Sequence, residues 1–305
     1  MSKISTAFGL IKRNRTGFLT AIIQNLNFLF PDKIYLKMLY RLKLGRKLDL
    51  KNPKRFTEKL QWLKLYNLKP EYTTMVDKYA VKDYVAGIIG KAHIIPTLGA
   101  WDRPEDIDWA TLPNQFVLKT THGGGGTGVV ICSDKSTFNC EDAIAKLKHS
   151  MKANIYGELR ELPYKNVKKR IIAEEFKTDG DGQLRDYKFY CFNGEPKVML
   201  IASNRYTTHN FDYFDVDFNH LPITSVAGPN SVEELSVPEN FEMMKEIARK
   251  LSAGIPHVRV DLYSTSDGVF FGEMTFFDSS GFDNMNSDAV DLQWGSWITL
   301  PNKDE

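Results

Sequence analysis

The sequence predicts an α+β protein: antiparallel strand pairs separated by helices, behind a helical N-terminal extension. Three stretches carry the prediction. Residues 115–130, QFVLKTTHGGGGTGVV, read as an apolar strand, a glycine-dense turn and a second apolar strand. Residues 257–275, HVRVDLYSTSDGVFFGEMT, alternate apolar and polar side chains around a Ser266-Asp267-Gly268 turn, the period of a half-buried hairpin. Residues 139–152 and 239–252 read as helices between the strand groups.

From the N-terminus, helices are expected near 20–30, 33–47 and 56–67, the last with Thr57 at its cap. A further helix over about 74–89 stops at Gly90. His93–Thr97 forms a short strand before a Leu98-Gly99-Ala100 turn, and 104–111 a short helix entered at Pro104. Strands 115–120 and 128–133 flank the glycines. Strands 170–176, 185–193 and 195–203 follow helix 139–152, the last two joined by an Asn193-Gly194 hairpin turn. Residues 153–168 and 204–236 read as irregular and are too long to be plain connections, which marks them for function such as acceptor binding. Helix 239–252 ends at Gly254, ahead of the final strand pair. A 305-residue chain is large for one core. We divide it into a basic helical region (1–70), a connecting segment (71–114), a glycine-loop subdomain (115–176) and a subdomain with the carboxylate strands (177–305).

Composition is that of an ordinary globular protein, with 42% hydrophobic and 26% charged residues. The three cysteines, Cys132, Cys140 and Cys191, form no C-x-x-C pair, which argues against a disulfide framework or zinc site and for reducing cytosol. Residues 17–30 are the nearest approach to a membrane span, but Gln24, Asn25 and Asn27 interrupt them. Charge is unevenly placed. Residues 1–60 hold 14 Lys/Arg against 3 Asp/Glu, a net +11, while the whole chain is only +2. Interleaved with Phe28, Phe30, Tyr35 and Tyr40, these charges suit an anionic bilayer surface, nucleic acid or simply a solvated helical face.

The glycines carry chemistry. Gly123, Gly124, Gly125, Gly126 and Gly128 surround Thr127 and let backbone N–H groups approach an anion closely. Lys119 at the strand end adds a point charge, so the hairpin reads either as a phosphate cradle or as a plain flexible turn. The pattern lacks the G-K-[ST] of a P-loop, and a strand rather than a helix follows, which excludes the dinucleotide fingerprint. Asp261 and Glu273 fall on adjacent antiparallel strands and can face one site. Such a pair suits Mg²⁺ with substrate phosphates, or is merely neutralised by Arg259. His122 can touch a phosphate or only bond the backbone.

Together these segments resemble the ATP-grasp superfamily, and within it the TupA-like branch of teichuronopeptide biosynthesis. The matching segments are Asp77–Lys82, Phe116–Gly126, Ala173–Phe176, Arg185–Lys188, Arg259–Tyr263 and Gly272–Phe277, spread over roughly residues 55 to 300. The resemblance implies two α+β subdomains gripping a nucleotide, with ATP and Mg²⁺ as cofactors. It implies that Lys78, Lys119, Lys188 and the loop from Gly123 through Thr127 to Gly128 contact the phosphates. Glu174, Glu175 and Phe176 would form the hinge that reads adenine and ribose. Arg259, with Lys188 and His122, would act on the transferring phosphoryl group or acyl phosphate, and Asp261, Glu273 and the Thr275 hydroxyl would hold the metal. Many members carry asparagine where this chain has Thr275, which puts a second metal site in question; Asp278 is the nearest substitute.

The implied reaction is ATP-dependent ligation of a carboxylate to an amine through an acyl phosphate, in surface polysaccharide biosynthesis. The implied partners are a glycan or lipid-linked oligosaccharide carboxylate and a small amine or amino acid, in the cytoplasm at the inner face of the membrane. That setting favours an anionic membrane over nucleic acid as the counterpart of the basic region. A sugar kinase and a non-catalytic nucleotide-binding scaffold are the alternatives.

Overall fold

The computed structural model describes residues 15–124, 126–179, 182, 184–204, 208–225, 227–283 and 287–303. Two antiparallel sheets organise them. The first runs β1 (Thr97–Trp101), β4 (Ile171–Glu175), β2 (Phe116–Thr120), β3 (Val129–Cys132). The second runs β7 (Asn210–Asp215), β6 (Glu195–Ser203), β5 (Asp186–Phe192), β8 (His257–Thr265), β9 (Gly268–Thr275). The helices are α1 (Arg15–Asn25), α2 (Asp32–Leu44), α3 (Phe56–Tyr66), α4 (Glu71–Val76), α5 (Val81–Ile89), α6 (Cys140–Met151), α7 (Ile155–Leu159), α8 (Phe241–Ser252) and α9 (Asp288–Trp297).

Each sheet has its own core. Phe116, Leu118 and Ala173 of the first sheet bury against Leu147 of α6. In the second sheet Phe189, Met199, Val258 and Val260 belong to a larger core with Met244, Ile247, Ala248 and Leu251 of α8. Those α8 positions recur at the helical three-and-four spacing, so one stripe of the helix is buried. Leu36 and Tyr40 of α2 and Phe56, Leu60 and Leu63 of α3 join the same core, so the N-terminal helices pack on the second sheet.

Helix α9 closes one end of that sheet. Its buried Asp291 accepts from the Thr57 backbone N–H and hydroxyl, both at 2.9 Å, and from Arg46 at 3.0 Å. Gly295 permits the close approach: a Cβ there would lie 2.1 Å from the Lys54 carbonyl oxygen. Beneath α9 the His257 ring packs edge-on to Phe56 with centroids 4.9 Å apart, and against Phe192 at the same distance. Burial lowers the His257 pKa to about 4. The unfolded chain takes up that proton near pH 6.5, so stability falls as pH drops from 6.5 towards 4, by up to roughly 3 kcal/mol. Replacing His257 with Phe should flatten this acid limb in urea midpoints measured at pH 7 and pH 5. An unchanged pH dependence would refute it.

Most expected elements form, with instructive differences. The expected helix over 74–89 is two helices, because the Asp77 carboxylate accepts from the Tyr79 and Ala80 N–H groups and holds a turn between them. Thr57 is not the cap of α3. Glu58 folds back to accept from the Lys54 and Arg55 N–H groups, which frees Thr57 for Asp291. The expected 93–97 strand lies later, at Thr97–Trp101, with a bulge between Thr97 and Gly99 where a turn was expected. The 104–111 helix shrinks to a 3₁₀ turn at Pro104–Asp106. The 204–236 stretch contains β7, and the 153–168 stretch contains α7. The Asn193-Gly194 turn forms with φ of 51° and 86°, the left-handed pair that a two-residue hairpin needs.

Candidate active site

One face of the second sheet forms the floor of a cleft of about 620 Å³ between the sheets. Successive side chains of a strand point to opposite faces, so every second residue faces the cleft. Among these are Asp186, Lys188 and Tyr190 of β5, Leu200 of β6, Tyr213 of β7, Arg259 and Asp261 of β8, and Glu273 of β9. Register aligns them, since Lys188 pairs with Asp261, and Asp261 with Glu273. A bulge after Asp261 leaves Gly272 between Glu273 and Phe271, and Gly272 also lines the cleft. The β8–β9–β5 half of the floor is charged, while the β6–β7 half is aromatic and aliphatic.

The first sheet supplies the roof. Lys119, Thr120, Val129 and Ile131 line it together with Gly123, Gly124, Gly126 and Gly128. Gly125 lies outside the described residues. A Cβ at Gly128 would lie 2.0 Å from the Thr120 hydroxyl oxygen, one at Gly123 2.6 Å from it, and the φ of +74° at Gly126 strains any other residue. The Thr127 hydroxyl donates to the Gly124 carbonyl at 3.2 Å.

Charges in the cleft are mutually engaged. Asp261 accepts from Arg259 at 2.7 and 2.8 Å and from Lys188 at 2.5 Å. Glu273 accepts from Lys78 at 2.8 Å and from Arg259 at 3.3 Å. Lys78 also donates to the Gly123 carbonyl at 2.8 Å, so one ammonium ties the glycine loop to the carboxylate strand. Thr275 accepts from Arg259 at 3.2 Å and stands 3.3 Å from Glu273, holding the two side by side. Asp278 accepts from the other arm of Arg259 and from the Tyr190 hydroxyl at 3.0 Å. Burial works against the charged form of Glu273, yet Lys78, Lys188 and Arg259 outweigh it and hold its pKa well below the usual range. Burial likewise opposes the Lys188 charge, but Asp186 and Asp261 prevail and raise its pKa.

Among the described residues no three His, Cys, Asp or Glu side chains converge as a ready-made metal cage. Asp261 and Glu273, however, both reach Arg259 Nη2, so their oxygens converge on one point. Two carboxylates that leave other positions to water and substrate phosphate are the donor set Mg²⁺ accepts. The residues therefore fit the ion.

The expected hinge lies at the end of β4. Glu174 is buried and paired with Lys119 at 2.6 Å and Lys82 at 2.5 Å. Burial would raise its pKa, but the two lysines lower it. Lys177, just past Glu175 and half-buried Phe176, pairs with Glu175 at 3.4 Å and with Asp267 of the β8–β9 turn at 3.3 Å, linking the sheets. His122 is buried, its ring nitrogens have no side-chain partner among the described residues, and it is not among the cleft-lining residues. Burial, with Lys169 nearby, lowers its pKa to about 4. Asp186 and Tyr190 were not singled out from the sequence, although alternation from Lys188 marks both as cleft-facing.

A family model described as TupA-like ATPgrasp matches residues 58–299. The chain belongs to the TupA-like ATP-grasp family. Its two antiparallel sheets over a shared cleft are the ATP-grasp architecture. None of the curated proteins matches it. Solved structures similar to it include D-alanine–D-alanine ligase from Helicobacter pylori, at 16% identity over 81% of this chain and 70% of that one, TM-score 0.43. N5-carboxyaminoimidazole synthetase from Staphylococcus aureus complexed with ADP aligns at 13% over 75% and 53%, TM-score 0.43. The ATP-grasp ligase PsnB complexed with its minimal precursor aligns at 14% over 79% and 66%, TM-score 0.41.

Proposed function

We propose that the protein joins a carboxylate to an amine through an acyl phosphate, at the cost of one ATP. The carboxylate belongs to a uronic acid or similar group of a surface glycan, and the amine is an amino acid or other small amine. The work takes place in the cytoplasm at the inner face of the membrane. The observation that carries the reading is the meeting of Lys188, Arg259, Asp261 and Glu273 beneath a glycine hairpin that bears Lys119. Lys78, Lys119 and the hairpin amides would hold the phosphates, and Glu174 to Phe176 the nucleoside. Asp261 and Glu273 would hold Mg²⁺, which when bound neutralises phosphate charge. Arg259, gripped on both arms by Asp261 and Asp278, would stabilise charge that develops on the transferring phosphoryl group, with Lys188 assisting. Such preorganisation supplies most of what phosphoryl transfer needs. Thr275 would orient Glu273, and His122 would support the loop from beneath.

Mass spectrometry after incubation with ATP, Mg²⁺, a panel of uronic acids and a panel of amino acids tests this. The expected product has the mass of acid plus amine less water, with one ADP and one phosphate released per product. A stable phosphorylated sugar formed without amine would make the protein a kinase. No ADP release with any pair would make it a scaffold.

A further inference from the structure

Among the described residues, 7 of the 14 large hydrophobic side chains that stand exposed fall between residues 18 and 34. That concentration in 17 residues is too dense for scattered surface apolar groups, which need no explanation. Phe18, Leu19 and Ile22 lie on α1, Ile34 opens α2, and between them Phe28 is 75% and Leu29 59% exposed. The pair forms a protruding tip rather than a groove. Its base is rigid. Arg160 donates to the Asn27 carbonyl at 2.6 Å, pairs with Asp32 at 2.8 Å and lies over the Tyr35 ring at 4.1 Å.

The chain on either side of the tip is strongly basic, with Glu158 of the adjoining α7 an exposed acid near its base. Residues 1–48 hold 10 Lys/Arg and a single acid, Asp32, which Arg160 already engages. On α2, Lys33, Lys37 and Arg41 recur every fourth residue, so they share one exposed stripe, across the helix from the buried Tyr35 and Leu39. Not all the basic charge is available: Arg46 is spent on Asp288 and Asp291, and Arg55 on Asp288.

We propose that the α1–α2 edge docks the protein on an anionic lipid bilayer, with Phe28 and Leu29 entering the headgroup–acyl boundary and Lys33, Lys37 and Arg41 facing lipid phosphates. A protruding apolar tip suits a fluid phase that closes around it, and the flanking single-sign stripe suits anionic headgroups. No helix among the described residues is long and apolar enough to cross a membrane, so the contact is interfacial. The proposal takes its biological setting from the glycan reading but not its evidence.

Flotation with phosphatidylcholine vesicles, with and without phosphatidylglycerol, tests it on the full chain. Binding is expected only to the anionic vesicles and should weaken as salt rises. Lys33→Glu with Lys37→Glu should lower the partition coefficient more than about tenfold. Phe28→Ser with Leu29→Ser should lower it at least as far while leaving the salt dependence in place. All four positions are exposed, and unchanged melting temperatures would confirm that the variants are folded. Absence of binding by the folded protein, equal binding to neutral vesicles, or a concentration-dependent dimer broken by the Phe28 and Leu29 changes would overturn the proposal. The Glu273→Gln protein should bind vesicles like the parent, which separates failure here from failure of the ligase reading.

Discussion

Replacing Glu273 with Gln should leave the fold intact and reduce ATP-dependent turnover at least about 100-fold, the scale of losing several kcal/mol of metal-based charge stabilisation. The substitution keeps shape and removes one negative charge from a cluster in which Lys78, Lys188 and Arg259 already oppose Asp261, Asp278 and Glu273. Lys78 would exchange its ionic partner for a neutral amide oxygen beside the Gly123 carbonyl, so the glycine loop should also loosen. Higher Mg²⁺ should recover part of the activity if the defect is metal affinity. Asp261→Asn should cost more stability than Glu273→Gln. Asp261 is 2% exposed against 30% for the Glu273 side chain, and it holds both Arg259 and Lys188. Normal turnover of Glu273→Gln at low Mg²⁺ would place the metal elsewhere.

What the sequence made legible was what repeats locally. The β8–β9 hairpin, the Lys119–glycine hairpin and the Asn193-Gly194 turn follow from alternation and turn chemistry within a few residues, and all three form. Strand β7 was not legible, because NFDYFD is apolar and acidic on no clear period. It becomes a strand through pairing with β6 and through Asp212, which is buried by accepting from the distant Ser231 N–H. Helix α9 owes its placement to Asp291 meeting Thr57 across more than two hundred residues, a contact no local window contains. In the site, residue types and their strands were readable, but partners were not. Nothing near Lys119 in sequence says that it meets Glu174, or that Asp278 grips Arg259 rather than standing free.

Those hidden partners change what Lys119→Ala should do. A strand-end lysine directed at solvent would be removable with little effect on stability, and only ATP binding would suffer. Lys119 is instead 14% exposed and lies 2.6 Å from Glu174, whose carboxylate is 7% exposed. Removing its ammonium leaves a buried anion with Lys82 as its remaining salt-bridge partner. Breaking an isolated buried pair costs about 3–5 kcal/mol; here the cost should be smaller, because Lys82 remains. We therefore expect Lys119→Ala to lower the melting temperature as well as to abolish productive ATP binding. Changing Glu174 to Gln in the same chain should recover much of the stability, since the stranded charge is gone, while ATP binding stays lost. Calorimetric titration with ATP and thermal melts of the single and double variants separate the two effects. Full ATP affinity in Lys119→Ala would remove Lys119 from the phosphate site, and a double variant no more stable than the single would show that the Lys119–Glu174 pair is not what holds the hinge.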